Sequence, residues 1–388
     1  MPMIPTEQSR DRAPAPAVCS RQRVAIVHDW LPLYGGAERV LEQMLLLFPQ
    51  ADLFTLMEAL PPGDRAFLHG KKPHTSLIQH LPFCATAYRN YFALMPFAIE
   101  QFDLTGYDVV ISSSYAFAKG VLTGPDQLHV CYCHSPIRYA WDMQHQYLAQ
   151  RRGVSRAIAQ ILFHYIRLWD TRTANGVDAF LANSHFIARR IRKTYGREAR
   201  VVYPPVDVEG FTARADKDDY YLTASRFVPY KRIDLVVKAF ARMPRKKLVV
   251  IGDGPEFARI QSYATPNIAL VGHQSQEGLR NYMERARGFV FAGEEDFGIT
   301  LVEAQASGTP VIAFCHGGAR EIVQDGTTGV LFQEQSEASL LRAIERFEAC
   351  RFEVGAIRRN AERFSLRVFR CQFAEAVEHA YTQFVADI

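Results

Sequence analysis

Glu295 and Glu303 stand eight residues apart, on either side of Gly298, in the run Glu295-Asp-Phe-Gly-Ile-Thr-Leu-Val-Glu303. Just upstream, Gly288-Phe-Val-Phe-Ala292 is a short apolar run that reads as a buried parallel strand, and residues 299–307 read as the helix that follows it. Carboxylates on such a strand-to-helix crest can bind the hydroxyls of a polyol. The free N–H groups of the helix's first turn can hold a phosphate beside it. Glu303 then lies about one turn into the helix, while Glu295 stays on the loop.

Charge that develops on a leaving phosphate has to be neutralised, and Arg, Lys and helix N-termini can do this without a metal ion. The second half of the chain has all three. In Ser225-Arg226-Phe-Val-Pro-Tyr-Lys231-Arg232, Arg226 brings a planar fork and Lys231 a point charge, a combination suited to a diphosphate. The plain alternative is two solvated cations on a loop. Gly252-Asp-Gly-Pro255 could also face a phosphate, but it is not the G-x-G-x-x-G fingerprint and reads as an ordinary turn. In the first half, His28-Asp-Trp30 ends the opening strand. Gly35-Gly36 leads into the next helix, and glycine there lets backbone approach a ligand with no Cβ in the way. Cys131-Tyr-Cys133-His134 has metal-binding residue types. In a strand, however, the cysteines share one face and His134 takes the other, and no second pair completes a zinc site, so no metal is expected.

Positioning these residues requires regular elements. Short β-branched runs alternate with helical patterns from Val24 to about Val330, which predicts parallel sheets built of βαβ units. The first half offers strands at 24–28, 53–56, 109–112, 130–133 and 179–182, and the second at 221–224, 248–251, 269–271, 289–292, 311–313 and 330–332. Tyr203-Pro-Pro-Val-Asp207 enforces a stiff, extended segment and reads as the linker between them. The expected division is a disordered, Pro-rich tail over 1–22, a first Rossmann-like domain over 23–203, a second over 208–365, and a final helix over 366–388.

The 388 residues, 48% hydrophobic and 22% charged, suit an ordinary globular chain of about two domains. Seven scattered cysteines and no secretory signal point to reduced thiols in the cytoplasm. No run of about 18 apolar residues predicts a membrane span. At a net charge of +4, no nucleic-acid partner is expected. Basic residues do cluster at Arg189-Arg190-Ile-Arg192-Lys193 and at Arg151, Arg152, Arg156 and Arg167. These are either solvated helix faces or a peripheral contact with anionic membrane lipid. Ile158, Ile161, Leu162, Tyr165 and Trp169 fall near one helical face, which reads as a core helix, and the apolar segment 75–103 likewise reads as domain core.

Taken in chain order, Gly35-Gly36-Ala37-Glu38, His134-Ser135-Pro136, Asn183-Ser184, Arg226 with Lys231, and the E-x7-E spacing of Glu295 and Glu303 resemble the signature of the retaining glycosyltransferases of family 4. The likeness covers all but the first twenty or so residues. It implies the GT-B fold, an α/β architecture of two Rossmann-like, doubly wound parallel-sheet domains facing a central cleft, with the terminal helix crossing back to the first. It implies that Glu295 binds a hydroxyl of the donor sugar and Glu303 the nucleotide ribose. Backbone N–H groups near Phe297, Gly298 and Ile299 complete the sugar and phosphate contacts, and Arg226 and Lys231 hold the diphosphate. Gly36 meets the diphosphate or acceptor from the opposite wall, and His134 positions a sugar hydroxyl and stabilises positive character at the anomeric carbon. The implied substrate is a nucleotide-diphosphate sugar, with no cofactor and no metal.

Paired carboxylates also serve glycosidases, but a hydrolase of neutral glycosides has no use for Arg226 and Lys231. An NAD-dependent oxidoreductase needs G-x-G-x-x-G after its first strand, and Tyr34-Gly-Gly-Ala-Glu38 does not match. A non-catalytic sugar-nucleotide binding protein is expected to lose one of the charged site residues. A GT-B sugar-nucleotide epimerase stays open, distinguished by its free-sugar product. The tract 132–142 looks like the bacterial branch that builds O-antigen and exopolysaccharide, in which mannosyl transfer from GDP-mannose is common. The implied acceptor is a glycan, either soluble or linked to polyprenyl diphosphate.

Overall fold

The computed structural model describes residues 22–149 and 151–387, so the tail expected over 1–22 lies outside the described residues except for Gln22. Gln22 itself donates from its amide to the Tyr381 hydroxyl at 2.6 Å. The chain forms two compact units. One runs to Pro205 and resumes at Phe369, and the other is Val206–Val368.

The first unit is built on a sheet of seven parallel strands, β1 (Val24–His28), β2 (Asp52–Thr55), β3 (His74–Thr75), β4 (Val109–Ser114), β5 (Leu128–Cys133), β6 (Ala179–Ala182) and β7 (Ala199–Val201), in the order β3-β2-β1-β4-β5-β6-β7. Strands β1, β4 and β5 are buried at every position, and β1 accordingly reads as a near-continuous apolar run while β4 ends in three buried serines and β5 carries His129. The polar residues they carry therefore need internal partners. His129 on β5 meets Ser112 Oγ at 2.8 Å through Nε2 and the Gly176 carbonyl at 3.2 Å through Nδ1. The helix Leu366–Ala386 closes this core, its Phe369 and Phe373 rings lying 6.0 and 6.1 Å from Tyr132, with Phe48 behind Phe373.

The second unit carries six parallel strands, β8 (Tyr221–Ala224), β9 (Leu248–Ile251), β10 (Ile268–Gly272), β11 (Gly288–Phe291), β12 (Val311–Phe314) and β13 (Gly329–Phe332), in the order β10-β9-β8-β11-β12-β13. In each sheet the strand order reverses once, at β1/β4 and at β8/β11. A ligand crevice in an open α/β sheet opens beyond the strand ends at such a point.

Strand positions fall within a residue or two of expectation, apart from β3 and β7, which the sequence did not suggest. Both are short edge strands, and His74-Thr75 carries no apolar run at all.

One correction concerns the helix Gly153–Ala174. Its Ala159, Phe163, Ile166 and Trp169 are buried as a core helix requires, but Ile158, Ile161 and Tyr165 are exposed. The apolar arc of this helix is wider than the core uses. Segment 75–103 is similarly mixed, with Met95, Ala98 and Ile99 buried but Phe83, Leu94 and Phe97 exposed. The same helix carries Asp170, fully buried, whose carboxylate pairs with the buried ammonium of Lys119 and accepts hydrogen bonds from Trp141 Nε1 at 2.7 Å and the Tyr195 hydroxyl at 3.0 Å.

Candidate functional site

At the β8/β11 switch point the second unit gathers most of the charged residues expected from the sequence. The chain leaves β8 through residues 225–231 and forms a short turn at Pro229–Lys231. It leaves β11 through residues 292–298 and enters the helix Ile299–Ala306. These two exits touch. A Cβ placed on Gly293 would come within 3.0 Å of Lys231 Cα and 3.1 Å of its carbonyl oxygen.

Lys231 and Glu295 form an ion pair here, their side chains only 16% and 19% exposed. Gly298 caps the helix with φ of 103°, a conformation that favours glycine, and Ile299 opens the helix with an N–H that has no partner within it. Glu303 is buried on that helix, and Phe297 packs edge-on against Phe364 at 5.4 Å. Arg226 lies on the β8 exit with Lys231, exposed.

Two glycine pairs support this arrangement from behind, and their role is not apparent in the sequence. Gly318 N–H donates to the Glu295 carbonyl at 2.9 Å, and a Cβ on Gly318 would sit 2.1 Å from the Phe297 carbonyl oxygen. Only bare backbone fits there. On the other side, a Cβ on Gly252 would lie 1.9 Å from the Ser225 carbonyl, and Phe227 N–H donates to Asp253 O at 2.8 Å. Gly252-Asp-Gly-Pro255 is therefore more than the ordinary turn expected. It is the shelf on which the Arg226–Lys231 loop rests. Gly252 directly follows β9, whereas Gly318 stands four residues beyond the end of β12 and carries no such signal.

In the first unit a hydrogen-bonded chain runs along the ends of β1, β4 and β5. His134 Nε2 meets Ser113 Oγ at 2.9 Å, and Ser113 Oγ meets His28 Nδ1 at 3.1 Å. His28 Nε2 lies 3.4 Å from Glu38 Oε1, and the other Glu38 oxygen accepts from Gly35 N–H at 2.9 Å, fixing the turn that presents the exposed Gly36. Asn183 holds the strand end by donating to the His134 carbonyl at 2.8 Å. Cys131 and Cys133 pack among Phe180, Ile187 and Ile191. Beside this chain, Asp29 accepts from the N–H groups of Tyr115, Ala116, Phe117 and Ala118 at 2.5–3.0 Å. Burial pushes this carboxyl above its usual range, while His28 and the surrounding amide donors favour its charged form.

Two family models match the chain, "Glycosyltransferase Family 4" over residues 34–209 and "Glycosyl transferases group 1" over residues 209–364. The chain belongs to glycosyltransferase family 4. Its two units have the GT-B fold. The chain is 29% identical over 226 residues to the GDP-mannose-dependent alpha-(1-6)-phosphatidylinositol monomannoside mannosyltransferase of Mycolicibacterium smegmatis, covering 47% of this chain and 58% of that one. It is 31% identical over 223 residues to the D-inositol 3-phosphate glycosyltransferase of Geodermatophilus obscurus, covering 48% and 49%. The chain thus spans about half the length of these curated relatives. Among solved structures, sucrose-phosphate synthase from Thermosynechococcus elongatus superposes with a TM-score of 0.71 at 19% identity, over 95% of this chain and all of that one. HepE of Anabaena, in complex with UDP and glucose, gives 0.67 at 16%, over 92% and 99%.

In this family 4 chain the buried imidazoles also set a pH response. Burial holds His134 down to about 3, with His28 adding to the effect, and burial holds His129 down to about 4. Both fold as neutral rings. As pH falls below the ordinary histidine value of about 6.5, the unfolded chain takes up protons that the fold refuses, so stability is full above that value and declines toward the folded values. Melting temperature should therefore fall between about pH 6.5 and 5, before most carboxylates titrate. His129→Asn, which keeps a partner for Ser112, should flatten the decline, and a flat profile in the unaltered protein would refute this.

Proposed function

We propose that this chain transfers a hexose, with retention, from a nucleotide-diphosphate sugar to a hydroxyl of a glycan or polyprenyl-diphosphate-linked acceptor in bacterial surface polysaccharide synthesis. The donor is read as GDP-mannose. The observation that carries this is the Lys231–Glu295 pair held at the start of the helix Ile299–Ala306. A cation for a leaving diphosphate and a carboxylate for a sugar hydroxyl are there set side by side against free helix N–H groups.

Arg226 and Lys231 take the diphosphate, Glu295 a donor hydroxyl, Glu303 the ribose, and the N–H groups of Phe297, Gly298 and Ile299 the sugar and phosphate oxygens. His134, neutral and held by Ser113, orients a sugar hydroxyl and supports positive charge at the anomeric carbon, with Gly36 lining the diphosphate or the acceptor. The acceptor hydroxyl attacks on the face from which the diphosphate departs and passes its proton to a leaving-phosphate oxygen. Mannose and guanine are favoured by the GDP-mannose dependence of the M. smegmatis relative. Among the described residues no helix is long and apolar enough to cross a membrane. We place the enzyme in the cytoplasm, at the inner face of the membrane when the acceptor is lipid-linked.

Thermal-shift titration against GDP-mannose, UDP-glucose, UDP-GlcNAc, GDP, UDP and NAD tests the reading, since a ligand selective for the folded state raises the melting temperature. GDP-mannose should give the largest shift, retained in EDTA. A shift with NAD alone would overturn the glycosyltransferase reading, and a free isomerised sugar as product would favour the epimerase.

A further inference from the structure

On the helix Gly153–Ala174, Val154, Ile158, Ile161, Tyr165 and Leu168 are 75%, 61%, 71%, 47% and 61% exposed. Their spacing of four, three, four and three residues lines them up in one stripe, adjacent to the face that Ala159, Phe163 and Ile166 bury. Leu94 and Phe97, also exposed, belong to a neighbouring segment. That segment is tied to the same helix by Trp169 Nε1 donating to Glu100 at 2.8 Å and by Phe92 packing with Phe163 and Ala159. So many exposed apolar side chains in one region mark a surface that meets something less polar than water.

The charges around this surface indicate what it meets. Between Asp64 and Glu100 the chain has no acidic residue, and none between Asp142 and Asp170, although Asp and Glu number 41 in the whole chain. Asp170 is fully buried, and Glu100 is engaged by Trp169 and Arg172. What remains at the N-terminal end of the stripe is Arg151, Arg152 and Arg156, all exposed. The other basic cluster named from the sequence is differently placed. On it, Arg190 is spent on Asp142 and Ser135, and Arg192 pairs with Glu198.

We propose that the Gly153–Ala174 stripe lies in the headgroup region of an anionic lipid bilayer, with Val154 to Leu168 facing the acyl boundary and Arg151, Arg152 and Arg156 meeting lipid phosphates. An apolar stripe with basic residues and no acids is the pattern of a helix lying in the interface plane. A second copy of the chain is a poorer occupant. The stripe spans about two heptads where a coiled-coil seam needs three or four, and copies paired in parallel would set their arginines against one another. This deepens the reading that the acceptor is lipid-linked, by naming the face and the lipid charge involved.

The test is co-sedimentation of the intact protein with vesicles of phosphatidylcholine alone and of phosphatidylcholine mixed with phosphatidylglycerol, with neither donor nor acceptor present. Binding should be at least about tenfold stronger to the mixed vesicles, and salt should weaken it. Ile158→Glu with Ile161→Glu should abolish it, and Arg151→Gln with Arg152→Gln should reduce it toward the neutral-vesicle value. Both variants should melt normally and keep the donor-induced thermal shift, which separates failure here from failure of the glycosyltransferase reading. Undiminished sedimentation of the glutamate variant, equal binding to neutral vesicles, or no binding at all would overturn the proposal. A dimer in light scattering that Ile158→Glu with Ile161→Glu dissolves would overturn it in favour of a second copy.

Discussion

Lys231→Ala should lower glycosyl transfer by about a hundredfold or more, the cost of one electrostatic contact made to charge that develops in the transition state. The side chain is a point charge on a flexible stem, held over the end of β8 by its pairing with Glu295, its ammonium 5.4 and 5.7 Å from the Tyr230 and Phe291 ring centroids. Without it, Glu295 loses its counter-charge and, on the role proposed above, the departing diphosphate loses a partner, two losses that act in the same direction. Lys231→Arg should recover part of the rate, since charge returns but with a planar fork in place of a compact ammonium. The fold should survive, because the buttresses of this loop are backbone at Gly252 and Gly293. Steady-state turnover on well-folded protein decides it. A Lys231→Ala enzyme that keeps more than about a tenth of the rate would remove this residue from the chemistry.

The largest effect on stability is expected at Lys119. Its ammonium and the Asp170 carboxylate are almost completely buried, 2% and 0% exposed, and Trp141 and Tyr195 complete the carboxylate's partners. Breaking such a pair from one side strands a charge in an apolar surrounding, at a cost of about 3–5 kcal/mol. Lys119→Met should therefore lower the melting temperature of the unit by about 10 °C. Adding Asp170→Asn removes the stranded charge yet keeps an acceptor for Trp141 and Tyr195, so the double variant should melt above the single one. Chemical denaturation that shows Lys119→Met within about 1 kcal/mol of the unaltered protein would mean that water reaches the pair.

Which of these features could be seen in the sequence follows from the range of the interactions that make them. β1 and β8 are legible because burial on both faces demands a largely apolar run, broken only by His28 and Thr223, and the helix after Gly298 because its glycine and its period are local signals. The Lys231–Glu295 pair was foreseeable as two charges on neighbouring strand exits, once β8 and β11 were placed. Ser113 was not. It lies 85 residues from His28 and 21 from His134, and nothing in its neighbourhood marks it as the link between them. Asp29 is hidden in the same way by its distant amide donors. The Gly153–Ala174 helix shows a different limit, because periodicity reports that a face is apolar and not whether protein covers it. Gly318 was visible as a residue but not as a requirement, which rests on the carbonyl of Phe297 passing behind it.

Phe369 and Phe373 belong to the core that Phe48 and Tyr132 begin. During synthesis, a ribosome that has released the chain as far as Pro205 has made every strand of the first sheet but none of the helix that seals it. The whole of Val206–Val368 is translated in between, and that unit has its complete core at hand as soon as it emerges. Order of synthesis and order of completion are therefore reversed. The N-terminal unit waits, with the apolar face around Tyr132 and Phe48 open, until the last element of the chain arrives, and that interval is when chaperone capture or aggregation would compete most strongly with folding.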